Sequence, residues 1–145
     1  METTVQHGTN LIAKTAAAFA LAAGLTLASQ AGASAAATVT VTPSSALTDG
    51  ATVTVSATGL AANEAHFIGL CGVIGSDFAC DATGVAPVTT DGTGAATAPL
   101  TVRKSFTGTL GSGTTTPVNC GAITCIIGVY NADASAGANT PVTFG

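Results

Sequence analysis

The amino-acid sequence predicts an all-β fold, an immunoglobulin-like antiparallel sandwich of about seven short strands. Three observations carry this expectation. TVTVT at 38–42 and TVTVSA at 52–57 alternate with period two, placing Val39, Val41, Val53 and Val55 on one face and Thr on the other, as strands half buried in a sheet do. Clusters of Gly, Asp, Asn, Ser and Pro punctuate the apolar runs at short intervals, which marks turns. Beyond residue 35, no segment keeps a convincing helical period.

The first 35 residues read as an address. Met1 to Lys14 is polar, with Lys14 its one clear cation, and it runs into TAAAFALAAGLTLA at 15–28. Small residues follow, and Ala33-Ser34-Ala35 has the small-x-small form of a cleavage site, so a secretory signal over 1–35 and an exported domain over 36–145 are expected. Cleavage falls after Ala35, with Ala33 as second choice. A retained membrane anchor is the competing reading, but the apolar run is shorter than the ~20 residues that a spanning helix needs. The exported part is then extracellular, with no membrane association once the signal is removed.

The strands follow in order. PSSALTDG at 43–50 connects the two alternating segments, ending in the turn pair Asp49-Gly50. Further strands are expected over Ala65–Cys71, Ala86–Thr90, Ala95–Val102, Val118–Cys120, Ile126–Tyr130 and Pro141–Phe144. Turn signals at Asp91-Gly92, Gly108, GSG at 111–113 and Asn131–Asn139 separate them. The stretch Ser105–Thr116 has the weakest strand pattern and is expected to form a ribbon or loop.

Composition narrows the function classes. The chain has 145 residues, 7% of them charged, with a net charge of -4. Residues 36–145 set Asp49, Glu64, Asp77, Asp81, Asp91 and Asp133 against Arg103 and Lys104, the wrong balance for gripping a phosphate backbone. The apolar residues are mostly Ala scattered among Thr and Gly, so several membrane spans are not expected.

All four cysteines, Cys71, Cys80, Cys120 and Cys125, lie in the exported part, where an oxidising environment favours disulfides. Four cysteines allow three connectivities, and sequence proximity favours Cys71 with Cys80 and Cys120 with Cys125. Zinc is the rival reading. Neither spacing is C-x2-C and the exported part has one His, His66, so no metal site is expected.

The same His66 is the one candidate base for a serine-type triad. Its position in the strand over 65–71 reads as a solvated or edge site, and no nucleophile stands out, so no catalytic residue is assigned. Asp49, Asp91 and Asp133 lie in turns, where carboxylates bond the local backbone. Arg103-Lys104 reads as a solvated strand end.

What remains is a distribution of apolar side chains. Leu70, Val73, Ile74 and Phe78 lie in or beside the first short cystine loop, and Ile126, Ile127, Val129 and Tyr130 follow the second. Brought together at one end of the sandwich, these segments would line a concave apolar site for a small molecule. The alternative is that they are ordinary core residues.

Several stretches taken together resemble the neocarzinostatin family of enediyne-binding apoproteins. They are TVTPSS-A-L-T-DG at 40–50, TVTVSATGL at 52–60, the Cys71–Cys80 loop with Asp81 after it, VRKSF-T-G at 102–108, V-N-C-x4-C at 118–125 and the terminal V-T-F-G. The resemblance covers nearly all of the exported region. It implies a seven-stranded sandwich with a two-stranded side ribbon forming a cleft. That cleft would hold a reactive enediyne chromophore noncovalently, with no other cofactor. DNA would be reached through the chromophore, not by the polypeptide, and the protein would serve as carrier of an antibiotic and protector of its producer. By the same resemblance, the cleft falls on Gly69, Cys71, Val73, Phe78, Cys80, Val85, Gly111, Ser112, Ile126 and Tyr130. The family pattern has aromatic rings where Val73, Val85 and the Gly111 loop stand and a polar amide at Ile126. This implies a different enediyne, or a differently shaped pocket that uses Tyr130 and Phe78.

Two other readings compete with a monomeric carrier. A noncatalytic immunoglobulin-like adhesion module would share the Thr-rich strands but have no cleft. An enzyme, by the family's description a weak histone-directed protease, would need a nucleophile and base that the sequence does not display.

Overall fold

In the computed structural model, residues 36–145 are described, and they form one compact unit. The expected export signal and its cleavage motif lie outside the described residues. Ten strands follow one another: β1 (Thr38–Thr42), β2 (Thr52–Thr58), β3 (Ala65–Ile74), β4 (Asp77–Cys80), β5 (Ala86–Thr89), β6 (Ala96–Thr101), β7 (Ser105–Thr109), β8 (Thr115–Asn119), β9 (Cys125–Asn131) and β10 (Gly137–Val142). They build two antiparallel sheets, β1-β2-β6 and β10-β9-β3-β4-β7-β8, with β5 pairing to β3.

The period-two alternation decides the first sheet. Val41, Val53, Val55, Ala57 and Leu100 point into the core, while Thr40, Thr54 and Thr97 are exposed on the other face. The hydroxyls pair laterally across strands, with Thr38 and Thr58 at 2.7 Å and Ser56 and Thr97 at 3.2 Å. Ile68, Leu70, Ile127, Val129 and Val142 of the second sheet meet this layer, which makes the apolar centre of the sandwich.

The long strand β3 governs the rest. One of its edges pairs with β9 from His66 to Gly72. Its other edge changes partner halfway, pairing with β5 over Ala65–Ile68 and with β4 over Cys71–Ile74. From β4 the sheet continues into the β7-β8 ribbon through one residue pair, Cys80 with Thr109. The ribbon thus extends the sheet sideways, with Phe106 and Val118 still packed in the apolar core.

Several local expectations are corrected. β4 and β7 are strands that the alternation does not announce. Four-residue β4 is too short for a period. In β7, Gly108 is a buried strand residue and not a turn, because a Cβ there would come within 2.7 Å of the Ala79 Cβ on β4. The last strand begins at Gly137, inside the stretch read as a turn, and Asn131 to Ala136 closes the connection with backbone bonds of 3.0 and 3.1 Å.

His66 is not at the surface. It is in phase with Ile68 and Leu70 on the inner face of β3 and is 1% exposed, whereas Phe67 is 41% exposed. Its Nδ1 lies 3.1 Å from the Glu64 carbonyl oxygen and its Nε2 3.4 Å from the Glu64 carboxylate. Both contacts are to one neighbouring residue and the ring is shut inside the sandwich, so the structure gives His66 a packing role.

Arg103 is not a solvated strand end either. Its guanidinium donates from Nε and Nη2 to the Asp81 carboxylate, at 3.1 Å and 2.6 Å to Oδ2. The Asp81 oxygens also accept from the Thr83 backbone at 3.1 Å and its hydroxyl at 2.8 Å. Such a fork is the geometry for which Arg is suited. It pins the connection after β4 to the end of β6.

Candidate functional site

The change of partner along β3 creates a hollow on the outer face of the second sheet. In β9, Cys125, Ile127 and Val129 belong to the core, which leaves Ile126, Gly128 and Tyr130 on the opposite face. Register sets Phe67 beside Tyr130, Gly69 beside Gly128 and Cys71 beside Ile126. Two adjacent glycines thus form a trough between larger neighbours. A Cβ at Gly69 would meet only Val85, at 3.8 Å.

The Tyr130 ring is fixed by its surroundings. A Cβ at Gly128 would stand 2.3 Å from the ring and one at Gly137 2.5 Å, so glycine at both places lets the ring lie close against the backbone. Asn139 Nδ2 donates to the phenol oxygen at 2.7 Å. Half-buried against the two glycines and tied at its tip, the ring becomes a rigid wall.

The opposite wall is the β3-β4 hairpin. Gly75, with φ +62°, supports its tight turn. Register places Cys71 directly across from Cys80, and they are bonded with Cα atoms 4.0 Å apart. Cys120 and Cys125 form the second disulfide, so both expected pairings are present and no cysteine is free. The end of the ribbon closes the third side. Its tip is held by Leu110 donating to Thr114 and Gly113 to Leu110, at 2.9 and 2.8 Å.

Together these walls enclose a cleft of about 390 Å³, lined by Cys71, Asp77, Phe78, Cys80, Thr109, Leu110, Gly111, Ile126, Tyr130 and Ala134. Six residues singled out in the sequence meet there: Cys71, Phe78, Cys80, Gly111, Ile126 and Tyr130. Gly69 lies in the adjoining trough with Val85 beside it. Val73 is half buried opposite Phe78 in the hairpin, and Ser112 is exposed at the ribbon turn; neither lines the hollow. Of the apolar residues considered, Leu70, Ile127 and Val129 are core.

Sequence reasoning missed Asp77, Thr109, Leu110 and Ala134. Thr109 and Leu110 lay in the stretch without a clear pattern. Ala134 has φ +56°, a conformation that nothing in its residue type announces. Asp77 had only its place inside the first cystine loop to distinguish it.

The loop that carries Ala134 is ordered by Asp133. Its carboxylate accepts from the Ser135 hydroxyl at 2.7 Å and backbone at 3.2 Å, which lowers its pKa from 3.8. Asp91 organises the β5-β6 turn alike, with the Thr93 hydroxyl at 2.6 Å as the first cause of its lowered pKa. Both groups are more acidic folded than unfolded. Their contribution is therefore complete above the ordinary Asp value of 3.8 and is lost as pH falls through the lower folded values. Denaturant midpoints measured from pH 6 down to 2 are expected to drop below about pH 4, and the drop is expected to be shallower in Thr93→Ala/Ser135→Ala. An unchanged acid slope in that variant would show that the turns are not responsible.

Among the described residues, no cluster of His, Cys, Asp or Glu is arranged to hold a metal ion. Nor do the described residues contain a helix long and apolar enough to cross a membrane.

Comparison with known proteins adds sequence and structural relatives. A model of the Neocarzinostatin family matches residues 39–144. The chain is 38% identical over 143 residues to macromomycin of Streptomyces macromomyceticus, covering 97% of this chain and 99% of the relative. It is 37% identical over 123 residues to the antitumor antibiotic C-1027 apoprotein of Streptomyces globisporus, covering 84% and 85%. The solved structure of macromomycin matches with a TM-score of 0.70 at 41% identity, over 76% of this chain and all of that one. The solution structure of apokedarcidin matches with a TM-score of 0.61 at 33% identity, over 77% of this chain and 100% of that one.

Proposed function

The chain belongs to the neocarzinostatin family, and from that premise we propose that it is a secreted apoprotein that binds, stabilises and carries an enediyne chromophore without a covalent bond. The observation that carries the proposal is the cleft itself: a cystine, an immobilised tyrosine and Ile126 facing one another around about 390 Å³ of largely apolar space. A hollow walled by a disulfide and fixed side chains is preorganised, so little ordering is needed when a guest enters. Its walls keep water and nucleophiles away from a reactive group, restraining chemistry instead of promoting it.

DNA is then the target of the released chromophore. The polypeptide has few cations to offer, for Arg103 is paired with Asp81 and Lys104 donates to the Gly145 carbonyl at 3.0 Å. Release from the apoprotein arms the guest, and retention protects the producing cell. The role is that of a carrier and not of a catalyst.

Native mass spectrometry of the protein, purified in the dark from its producing cells, is expected to show a noncovalent small-molecule adduct. Ile126→Trp, which places an indole in the cleft, is expected to abolish that adduct while leaving the fold unchanged by circular dichroism. A wild-type protein without any adduct, or an adduct that persists in Ile126→Trp, would overturn the assignment.

A further inference from the structure

We propose that β8 is the edge at which this chain can pair with a second copy of itself, and that Pro117 in the middle of the strand prevents the pairing and keeps the protein monomeric. The topology leaves this one edge open. In the first sheet the terminal strands are β1 and β6; β1 lies against β10 of the second sheet and β6 against β5. Those ends therefore close on one another along the two sides of the sandwich. β8 ends the second sheet beyond β7, and among the described residues no strand follows it. An open edge is a template for pairing, and proteins commonly guard it with charged side chains. β8 reads TTPVN and its partner β7 SFTGT, so neither strand brings a charge to this edge.

The register shows what the edge offers. At the two ends of the β7-β8 ladder, Cys120 donates its N–H to the Lys104 carbonyl at 2.7 Å and Leu110 donates to the Thr114 carbonyl at 2.9 Å. Opposed residues in an antiparallel pair alternate between hydrogen-bonded and non-hydrogen-bonded. Counting inward from either end, Phe106 with Val118 and Gly108 with Thr116 are bonded pairs, and Thr107 with Pro117 is a non-bonded one. The backbone groups of Thr115, Pro117 and Asn119 accordingly face away from β7. The Asn119 carbonyl is taken by the amides of Ala122 and Ile123, at 2.9 and 3.1 Å. Thr115 and Asn119 each keep an outward N–H, and Pro117 between them has none. Two copies of β8 laid antiparallel about a two-fold axis at residue 117 would set Pro117 against its own copy, where an opposed pair exchanges two N–H···O bonds. Both donors are missing, and a ring carbon stands in place of each. Pro117 thus takes nothing from the ladder to β7 and withholds the central donor from a newcomer.

Sedimentation velocity of the purified chain over a range of concentrations tests this, with wild type, Pro117→Val and Pro117→Lys compared at low salt. Residue 117 is exposed, so both variants are expected to keep the wild-type circular dichroism. Wild type is expected to sediment as a monomer throughout. Pro117→Val restores the two central bonds and is expected to self-associate about 30-fold more tightly, showing dimers at concentrations where wild type shows none. In those dimers the Thr115 and Asn119 amides are expected to exchange hydrogen more slowly than in the monomer. Pro117→Lys supplies the same N–H but sets two ammonium groups opposite each other, and is expected to stay monomeric. If Pro117→Val does not fold, Pro117→Thr takes its place with the same expectation. A valine or threonine variant that is folded and monomeric at every concentration, dimers whose Thr115 and Asn119 amides exchange as fast as in the monomer, a wild type that dimerises, or a Pro117→Lys that dimerises as readily as Pro117→Val would each overturn the proposal.

Discussion

Arg103→Ala is expected to destabilise the folded domain by about 3 kcal/mol, an unusually large effect for a residue 43% exposed. The cause lies in its partner. Asp81 is 3% exposed, and without the guanidinium its carboxylate retains only the two bonds from Thr83. An ionised carboxylate left buried without a counter-charge costs more than the pair itself contributes. Asp81→Ala/Arg103→Ala should therefore be more stable than Arg103→Ala alone, since it removes the stranded charge. Urea unfolding of the wild type, both single variants and the double variant closes the cycle. A loss below about 1 kcal/mol for Arg103→Ala would place this pair among ordinary surface ion pairs and refute the reading.

The second large effect concerns the disulfides, whose roles differ despite their similar loops. Removing Cys71–Cys80, with a sequence separation of 9, is expected to cost about 3 kcal/mol through the freer unfolded chain, and removing Cys120–Cys125 about 2 kcal/mol. Stability alone hardly separates them. Guest retention does, because Cys71 and Cys80 line the cleft and β4 is joined to the ribbon by a single residue pair. Cys71→Ala/Cys80→Ala is expected to loosen this wall and shed a bound guest at least tenfold faster in a dissociation experiment. Cys120→Ala/Cys125→Ala should leave dissociation within about twofold of the wild type. Equal dissociation from both variants would show that the first cystine is a staple and nothing more.

The sandwich was legible in the sequence wherever one face of a strand is core and the other solvent. Val53 and Val55 against Thr52 and Thr54 show that alternation in β2. β3 defeats the same reasoning, because its outer face is not solvent-like. Phe67 lies outside and His66 inside, so the residue types point to the opposite phase. The ribbon is expected over Ser105–Thr116, but Gly108 within it reads as a turn and is a strand residue: it answers to Ala79 on a strand distant in sequence, and no local pattern records that contact.

The cleft was partly legible through its cystine and through Tyr130 and Ile126, which stand close to the paired cysteines. Its remaining walls come from backbone shape and from strand pairing at a distance. Asp81 and Arg103 are separated by more than 20 residues in sequence, so the ion pair had no signature that a local reading could find. Tyr130 and the Cys71–Cys80 cystine come together through the β3-β9 and β3-β4 registers, which the family resemblance carries and a local reading of residues does not.

The ribbon meets the strand ladder at one residue pair, Cys80 and Thr109, and is anchored by Phe106 and Val118 in the core and by the Cys120–Cys125 disulfide, which leaves its tip around Gly111 outside the packed centre. Only the tip of the arm stands apart from the frame. Evolution can alter the length or bulk of the arm's tip without disturbing Val53, Ile68 or Ile127 in the apolar centre. Such a division of labour lets an inherited scaffold be refitted to new cargo by changes at its periphery.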